Sequence, residues 1–271
     1  MKYDFSNISF LVHLRVDIPE RFRNLQLVMR YYHTVADNVE FIIVNDDSKP
    51  YPGLKELKDE FKNSKFIHVK NDDIYMRPFS FNQAFKLTNR RVIIAGDTDV
   101  IVDSKFIDGG AKIILSGSYN HVYPYNGLFC WVKKDLIDKF SQTMSLDIFE
   151  QHKPLPENLV PNYENENVLV AHTSSKGGCI MYSRDIFEVI GGYNPLFKGW
   201  GYEDDEINHR LMMLGGKTLR ISDNNAIAWH LEHPNTVRDK HPYYDNNFKL
   251  LNYTRSLNKK QLINYIRTWN R

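Results

Sequence analysis

Residues 91–99 read RVIIAGDTD. The β-branched run Val92, Ile93 and Ile94 predicts a buried strand, and the strand ends in two carboxylates at i and i+2, Asp97 and Asp99. Upstream, the chain alternates. ISFLVHL (8–14) predicts a strand, and residues 19–36 carry Phe22, Leu25, Val28, Met29 and Tyr32 at helical spacing. VEFIIVND (39–46) predicts a second strand, followed by the turn cluster NDDSKPYPG. LKELKDEFK then predicts a helix, KFIHVK a strand and FSFNQAFKLT a helix before residue 91 is reached. Strand–helix alternation of this kind implies an α/β fold, a mostly parallel sheet with helices on both faces.

Ligands of such sheets sit beyond the carboxyl ends of the strands. Three polar clusters fall there: RVD (15–17), NDDS (45–48) and DTD (97–99). No G-x-G-x-x-G or G-x-x-x-x-G-K-[ST] follows a strand, which argues against a dinucleotide enzyme or a P-loop NTPase. The bulk numbers are those of a globular protein. There are 271 residues, 42% hydrophobic and 25% charged, and a net charge of +2 is too small to suggest a nucleic-acid binder. Cys130 and Cys179 both lie in apolar runs and read as buried free thiols. The first residues contain no long apolar run, so neither a signal peptide nor an anchor is expected there, and a cytoplasmic location follows by default.

The second half is less regular. Residues 150–167 are polar and proline-rich and read as a surface loop. GGCIMYSRDIFEVIGGYN reads as strand, helix and glycine stop, and KTLRI and AIAWHLEHP contain strands. Between them stands FKGWGYEDDE (197–206). A helix from Glu203 to Leu214 would have the apolar stripe Ile207, Leu211 and Leu214. Residues three and four before Ile207 share its face, so Glu203 and Asp204 are expected to point inward. Asp205 and Glu206 are expected to face water, with Glu206 able to pair with Arg210. Acids also suit a first turn for dipole reasons alone. Against that plain reading, Gly199 and Gly201 free the backbone around Trp200, as a hinged aromatic lid requires. A lid that excludes water raises the pKa of a neighbouring carboxylate toward the range of a general base.

A D-x-D at a strand end can hold a divalent ion and leave positions open for phosphate oxygens. His230 or His233, after another apolar strand, could add an imidazole, which favours Mn²⁺ over Mg²⁺ or Ca²⁺.

Taken in order, NDDS, FNQAF, DTD, GGYNPLFKGWGYEDDEINHRL and WHLEHP resemble nucleotide-sugar glycosyltransferases of the GT-A fold. The likeness is to the β-1,4-galactosyltransferase motif W-G-x-E-D-D and to bacterial chondroitin-polymerase-type enzymes, over residues 8–235 or so. It implies a Rossmann-like mixed sheet in a domain of residues 1–235, and a C-terminal helical extension, 236–271. It implies a UDP-sugar donor, with Mn²⁺ or Mg²⁺, and a glycan or lipid-linked saccharide as acceptor. Asp46 would contact the uracil with Arg15 lining the nucleotide site, and Arg77 and Asn82 would lie near the nucleotide and diphosphate. Asp97 would contact the donor sugar or ribose, Asp99 with His230 or His233 would ligate the metal, and Trp200 would cover the donor. Glu203 would hold the acceptor and Asp204 would be the base of an inverting transfer. Tyr202 stands where the family usually has a second glycine, which narrows the acceptor side. The same block resembles retaining polypeptide N-acetylgalactosaminyltransferases, but those usually have Asn after the Glu and D-x-H for D-x-D. A nucleotidyltransferase or a catalytically dead sugar-binding module are the readings from other classes. Finally, the basic end of the chain, with Leu262, Ile263, Tyr265, Ile266 and Trp269 interleaved, is expected either to rest on an anionic membrane through residues 246–271 or to dock on its own domain.

Overall fold

The computed structural model describes residues 2–234 and 242–269. Its main sheet has seven strands, in spatial order Thr218–Arg220, His121–Tyr123, Cys179–Ser183, Val92–Gly96, Ile8–Leu14, Glu40–Asp47 and Lys65–Lys70. All pairings are parallel except those of Cys179–Ser183, which runs against both neighbours. The expected strands at 8–14, 39–46, 65–70 and 91–99 are therefore present and adjacent, and the sheet is mixed rather than wholly parallel.

The register aligns the strand ends. Val12 pairs with Gly96 and Leu14 with Asn45, so Arg15, Asp46 and Asp97 leave the sheet at one edge. The reversed strand starts at that same edge, with Cys179 opposite Gly96. Gly178 thereby reaches Asp97, whose backbone N–H donates to the Gly178 carbonyl at 2.9 Å.

Helices cover the faces. Pro19–Val35 starts on its proline, which fits the first turn, and buries Leu25, Val28, Met29 and Tyr32 of the predicted stripe, with Phe22 partly buried. Arg77–Phe85 begins two residues before the expected start, which places Arg77 in its first turn. Three helices escaped the sequence reading, the shortest being Asp147–Glu150. Ser104–Leu115 is capped by the Asp103 carboxylate, and Lys134–Thr143 buries Leu136, Ile137 and Phe140. A second sheet also went unread, in the order Val168–His172, Phe129–Val132, Ala228–Leu231, Val100–Val102. It continues the chain directly from Asp99, and its register sets His230 opposite Val100. Both cysteines are buried and unbridged, and the loop expected at 150–167 exposes Leu155 and Val160.

Helices Tyr244–Ser256 and Lys259–Arg267 form the C-terminal part, the second opened by a capping box between Asn258 and Gln261. The boundary drawn at 235/236 falls at residues outside those described, as does Arg271 of the basic end. Leu262, Ile266 and Trp269 pack against Met213, Leu214 and Leu257, and the Arg210 guanidinium lies 4.8 Å from the Trp269 ring centre. The end of the chain thus docks on its own domain. Leu262, Ile266 and Trp269 are used in that contact, while Phe248, Tyr253, Lys249, Arg255, Lys259, Lys260 and Arg267 stay exposed. No described helix is long and apolar enough to cross a membrane.

Candidate active site

Two clusters meet at the strand edge. The first is Asp99, His230 and His233, whose ligand atoms all lie within 4.8 Å of one another. His230 Nε2 is 3.4 Å from Asp99 Oδ1 and His233 Nε2 is 3.2 Å from Oδ2. The backbone fixes this, because the Leu231 N–H donates to the Asp99 carbonyl at 2.8 Å. The sequence left open which histidine belongs here; the structure brings in both. His233 Nδ1 lies 3.0 Å from the Pro234 carbonyl and Nε2 faces Asp99 Oδ2 as a donor. Burial alone would lower the His233 pKa, but the Asp99 and Pro234 contacts outweigh it and raise it, and the Nε2 proton is the one a bound ion would displace. Burial alone would raise the Asp99 pKa, but His230, His233 and Arg21, with Nη1 at 3.8 Å, outweigh it and keep the carboxylate ionised. One carboxylate and two imidazoles, buried and side by side, fit a divalent transition ion such as Mn²⁺ and supply only part of its coordination shell.

The second cluster is built on Arg77. Its Nη2 lies 2.8 Å from Asp97 Oδ1, and its Nη1 donates to Glu203 Oε1 at 3.1 Å and to Asp204 Oδ1 at 3.3 Å. One guanidinium here faces three carboxylates, so full ionisation would leave the group with excess negative charge. Asp204 absorbs that excess. Burial first, then the nearby Glu203 and Asp97, push its pKa up from an ordinary 3.8 to about 7, against the lowering effect of Arg77. Gly177 lies against it, since a Cβ there would come within 2.5 Å of Asp204 Oδ2. Any larger residue at 177 would displace the carboxylate, and nothing in the linear sequence marked that glycine.

The row Glu203–Glu206 divides differently from the helical-face expectation. Asp205 does face outward, bonded by Lys176 Nζ at 3.0 Å. Glu206 is completely buried instead of facing water. It pairs with Arg210 as expected, through Nε at 2.9 Å and Nη2 at 2.8 Å, but the pair is interior because Arg210 also caps the carbonyls of Ile190 and Gly192. Asn194 and Thr254 complete the Glu206 shell at 3.2 and 3.3 Å. Three of the four acids are thus inside, two at the site and one holding the scaffold beneath it.

Trp200 sits between Gly199 and Gly201, both at positive φ (63° and 114°), and its residue is 38% exposed. Its ring stacks on Tyr244 at 5.7 Å and 12°. The backbone around Trp200 is held at both sides. The Gly199 N–H donates to the Tyr75 carbonyl at 2.8 Å, and Asn247 Nδ2 donates to the carbonyls of Lys198 (2.9 Å) and Trp200 (3.3 Å). Tyr202, at φ 70°, bonds the Tyr244 hydroxyl at 2.7 Å, so its ring belongs to the contact with the C-terminal helix. Neither Asn247 nor Tyr244 was legible as part of the site.

The remaining expected residues are placed as follows. Asp46 has no exposed surface. Its Oδ1 accepts from Asn71 at 2.7 Å, and its Oδ2 accepts from the Met76 N–H and lies 3.3 Å from His13 Nε2. Burial would raise its pKa, but these bonds prevail and lower it. Direct contact with a base would require one of these partners to leave. Arg15 donates to the Asp73 carbonyl at 2.6 Å at the rim. Asn82 is a correction. It is buried, donates to the Tyr193 carbonyl at 2.7 Å and accepts from the Tyr193 N–H at 2.9 Å. Its amide oxygen and one amide N–H tie the helix to the GGYN turn, so the side chain serves the scaffold, and a diphosphate contact would be left with the second N–H alone.

A mixed sheet with acids at its carboxyl edge, a second small sheet carrying histidines and a glycine-flanked tryptophan before E-D-D is the GT-A glycosyltransferase fold. Residues 166–234, about a quarter of the chain, match the family described as the N-terminal domain of galactosyltransferase. The whole fold is similar to that of S. aureus TarS (residues 1–349), with a TM-score of 0.53, 11% identity, and coverage of 85% of this chain and 60% of that one. Against TarS 1–349 in complex with UDP-GlcNAc, the TM-score is 0.61 at 10% identity, covering 98% of this chain and 72% of that one. The chain thus spans well under the full length of these structures, and at such identities the likeness is one of fold. No curated protein matches the sequence.

Proposed function

We propose that the protein transfers a hexose or N-acetylhexosamine from a UDP-sugar to a glycan or lipid-linked saccharide, with inversion. The observation that carries this is the adjacency, along one strand end, of the Asp99–His230–His233 cluster and the Arg77–Asp97–Glu203–Asp204 cluster. The first suits a diphosphate and its counter-ion; the second suits a sugar and an acceptor hydroxyl. A galactose-type donor is favoured by the family matched at 166–234, and a UDP-linked donor by the ligand of the TarS complex.

In this reading Asp204 takes the proton of the acceptor hydroxyl. A carboxyl with a pKa of about 7 is a stronger base than an ordinary aspartate and is still half ionised at neutral pH. Arg77 holds Asp97, Glu203 and Asp204 in one geometry, so Glu203 can orient the acceptor without competing for its proton. Asp97 faces the donor sugar or ribose, and Trp200, already held in place, covers it and excludes water. The transition state resembles an oxocarbenium ion, and Asp204 attacks nothing itself, so no covalent intermediate is required. Asp99, His230 and His233 would hold the divalent ion, which when bound offsets the charge growing on the departing diphosphate.

Calorimetric titration with UDP tests the assignment. Wild type is expected to bind UDP in Mn²⁺ and to lose at least tenfold in affinity in EDTA, with Asp99→Asn weak in both. Equal UDP affinity with and without the ion would remove the metal-bridged reading.

A further inference from the structure

Four aromatic rings from two separate segments meet beside the catalytic acids. Trp200 stacks on Tyr244, Tyr244 lies 4.8 Å from Tyr202, and Tyr202 lies 5.2 Å from Phe248. Phe248 is 45% exposed and Trp200 38%, so both ends of the run present ring area to solvent. Tyr202 stands between Gly201 and Glu203, and the Gly201 N–H donates to Glu203 Oε2 at 3.0 Å, so the run and the acids share one turn of backbone.

The run is built, not merely left over. Asn247 lies between Tyr244 and Phe248, is 1% exposed, and ties their helix to the lid carbonyls of Lys198 and Trp200. The two tyrosine hydroxyls bond each other. Gly201 leaves room for the Tyr244 ring, since a Cβ there would stand 3.0 Å from it. Tyr202 holds a left-handed backbone, a conformation that costs a residue with a side chain. These constraints fix the rings before any ligand arrives, as a binding surface requires.

We propose that Tyr202, Tyr244 and Phe248, with Trp200, form a subsite for a pyranose ring of the acceptor beyond the one that is glycosylated. The acceptor is then an oligosaccharide of at least two rings. The chemistry selects a sugar: flat aromatic faces match the C–H faces of a pyranose, and the paired hydroxyls at the edge can bond its hydroxyls. The inference rests on the glycosyltransferase reading.

The test uses a glycan array probed with the full chain in UDP and Mn²⁺, for wild type, Phe248→Ala and Tyr253→Ala. Tyr253 lies on the same helix, is 51% exposed and is outside the run. Circular dichroism melts first establish that both variants fold. Wild type and Tyr253→Ala are expected to retain the same glycans of two or more rings, and Phe248→Ala to lose at least fivefold in signal. Equal retention by Phe248→Ala, retention of monosaccharides only, or no retained glycan by a wild type that hydrolyses UDP-sugars would each overturn the subsite. A wild type that hydrolyses no UDP-sugar overturns the underlying function instead.

Discussion

Replacing Asp204 by Asn should move stability and activity in opposite directions, and the size of the first effect can be worked out. The folded pKa, about 7, lies above the ordinary 3.8, so between these values the folded protein binds a proton that the unfolded chain does not. Stability therefore falls as pH rises through that window, and above pH 7 the ionised carboxylate is a standing cost. At ~1.4 kcal/mol per tenfold in proton affinity, the ceiling is about 4 kcal/mol. The Asp204 side chain is 26% exposed, and asparagine gives up the ion pair with Arg77, so about 1–3 kcal/mol is the expected gain. That corresponds to a rise in Tm of roughly 2–8 °C for a chain of this size. The gain belongs to pH 8; at pH 5 the wild-type group is protonated and resembles asparagine, so the two melts should nearly coincide. Differential scanning calorimetry at both pH values measures this. In the same preparation kcat should fall by roughly 10²–10⁴, the usual worth of a positioned base. A variant less stable than wild type at pH 8, or a difference independent of pH, would show that Asp204 is an ordinary paired carboxylate and refute the reasoning.

Other outcomes follow from the same geometry. Asp205→Asn should keep most of its rate and melt within ~0.5 kcal/mol of wild type, whereas Glu206→Ala should lose about 3–5 kcal/mol by stranding Arg210, measured by urea unfolding. Asn82→Ala should cost about 2–4 kcal/mol through the unpaired Tyr193 backbone groups. Its KM for donor should stay unchanged in whatever fraction remains folded; a specific rise in donor KM would restore it to the nucleotide site. Mn²⁺ at 100 times its Kd should raise wild-type stability by about 2.7 kcal/mol, and His230→Ala and His233→Ala should each abolish most of that gain. Retained stabilisation in both would place the ion elsewhere.

The parts legible in the sequence were those with a local signature. The strand RVIIAG, the acids at its end and the glycine-flanked tryptophan each announce themselves within ten residues, and so the sheet and the grouping of Asp99 with a histidine were foreseeable. The gathering of Asp97, Glu203 and Asp204 around Arg77 was not, because it joins three distant segments. Glu206 was misread because i+4 pairing with Arg210 says nothing of depth. Arg210 is interior only because the turn at Ile190 and Gly192 folds its carbonyls over it. Asn82 looked like a site residue because its partner, the Tyr193 backbone, lies more than a hundred residues away. The strands Val100–Val102 and His121–Tyr123 are too short for periodicity to show, although the first carries the turn from Asp99 toward His230. The docking of the C-terminal helices on the lid depends on Asn247 and Tyr244, two residues with no pattern of their own.

The central claim is UDP-sugar chemistry at the Asp204 carboxylate, and UDP release tests it most directly. The measurement is UDP liberated from UDP-galactose, UDP-N-acetylgalactosamine, UDP-glucose and UDP-N-acetylglucosamine with Mn²⁺ and no acceptor, for wild type and Asp204→Asn, across pH 5 to 9. The account predicts slow hydrolysis of at least one donor by wild type, rising as pH passes about 7 where Asp204 ionises, and its loss in the variant. No UDP from any donor, or release that is the same in Asp204→Asn, would contradict it.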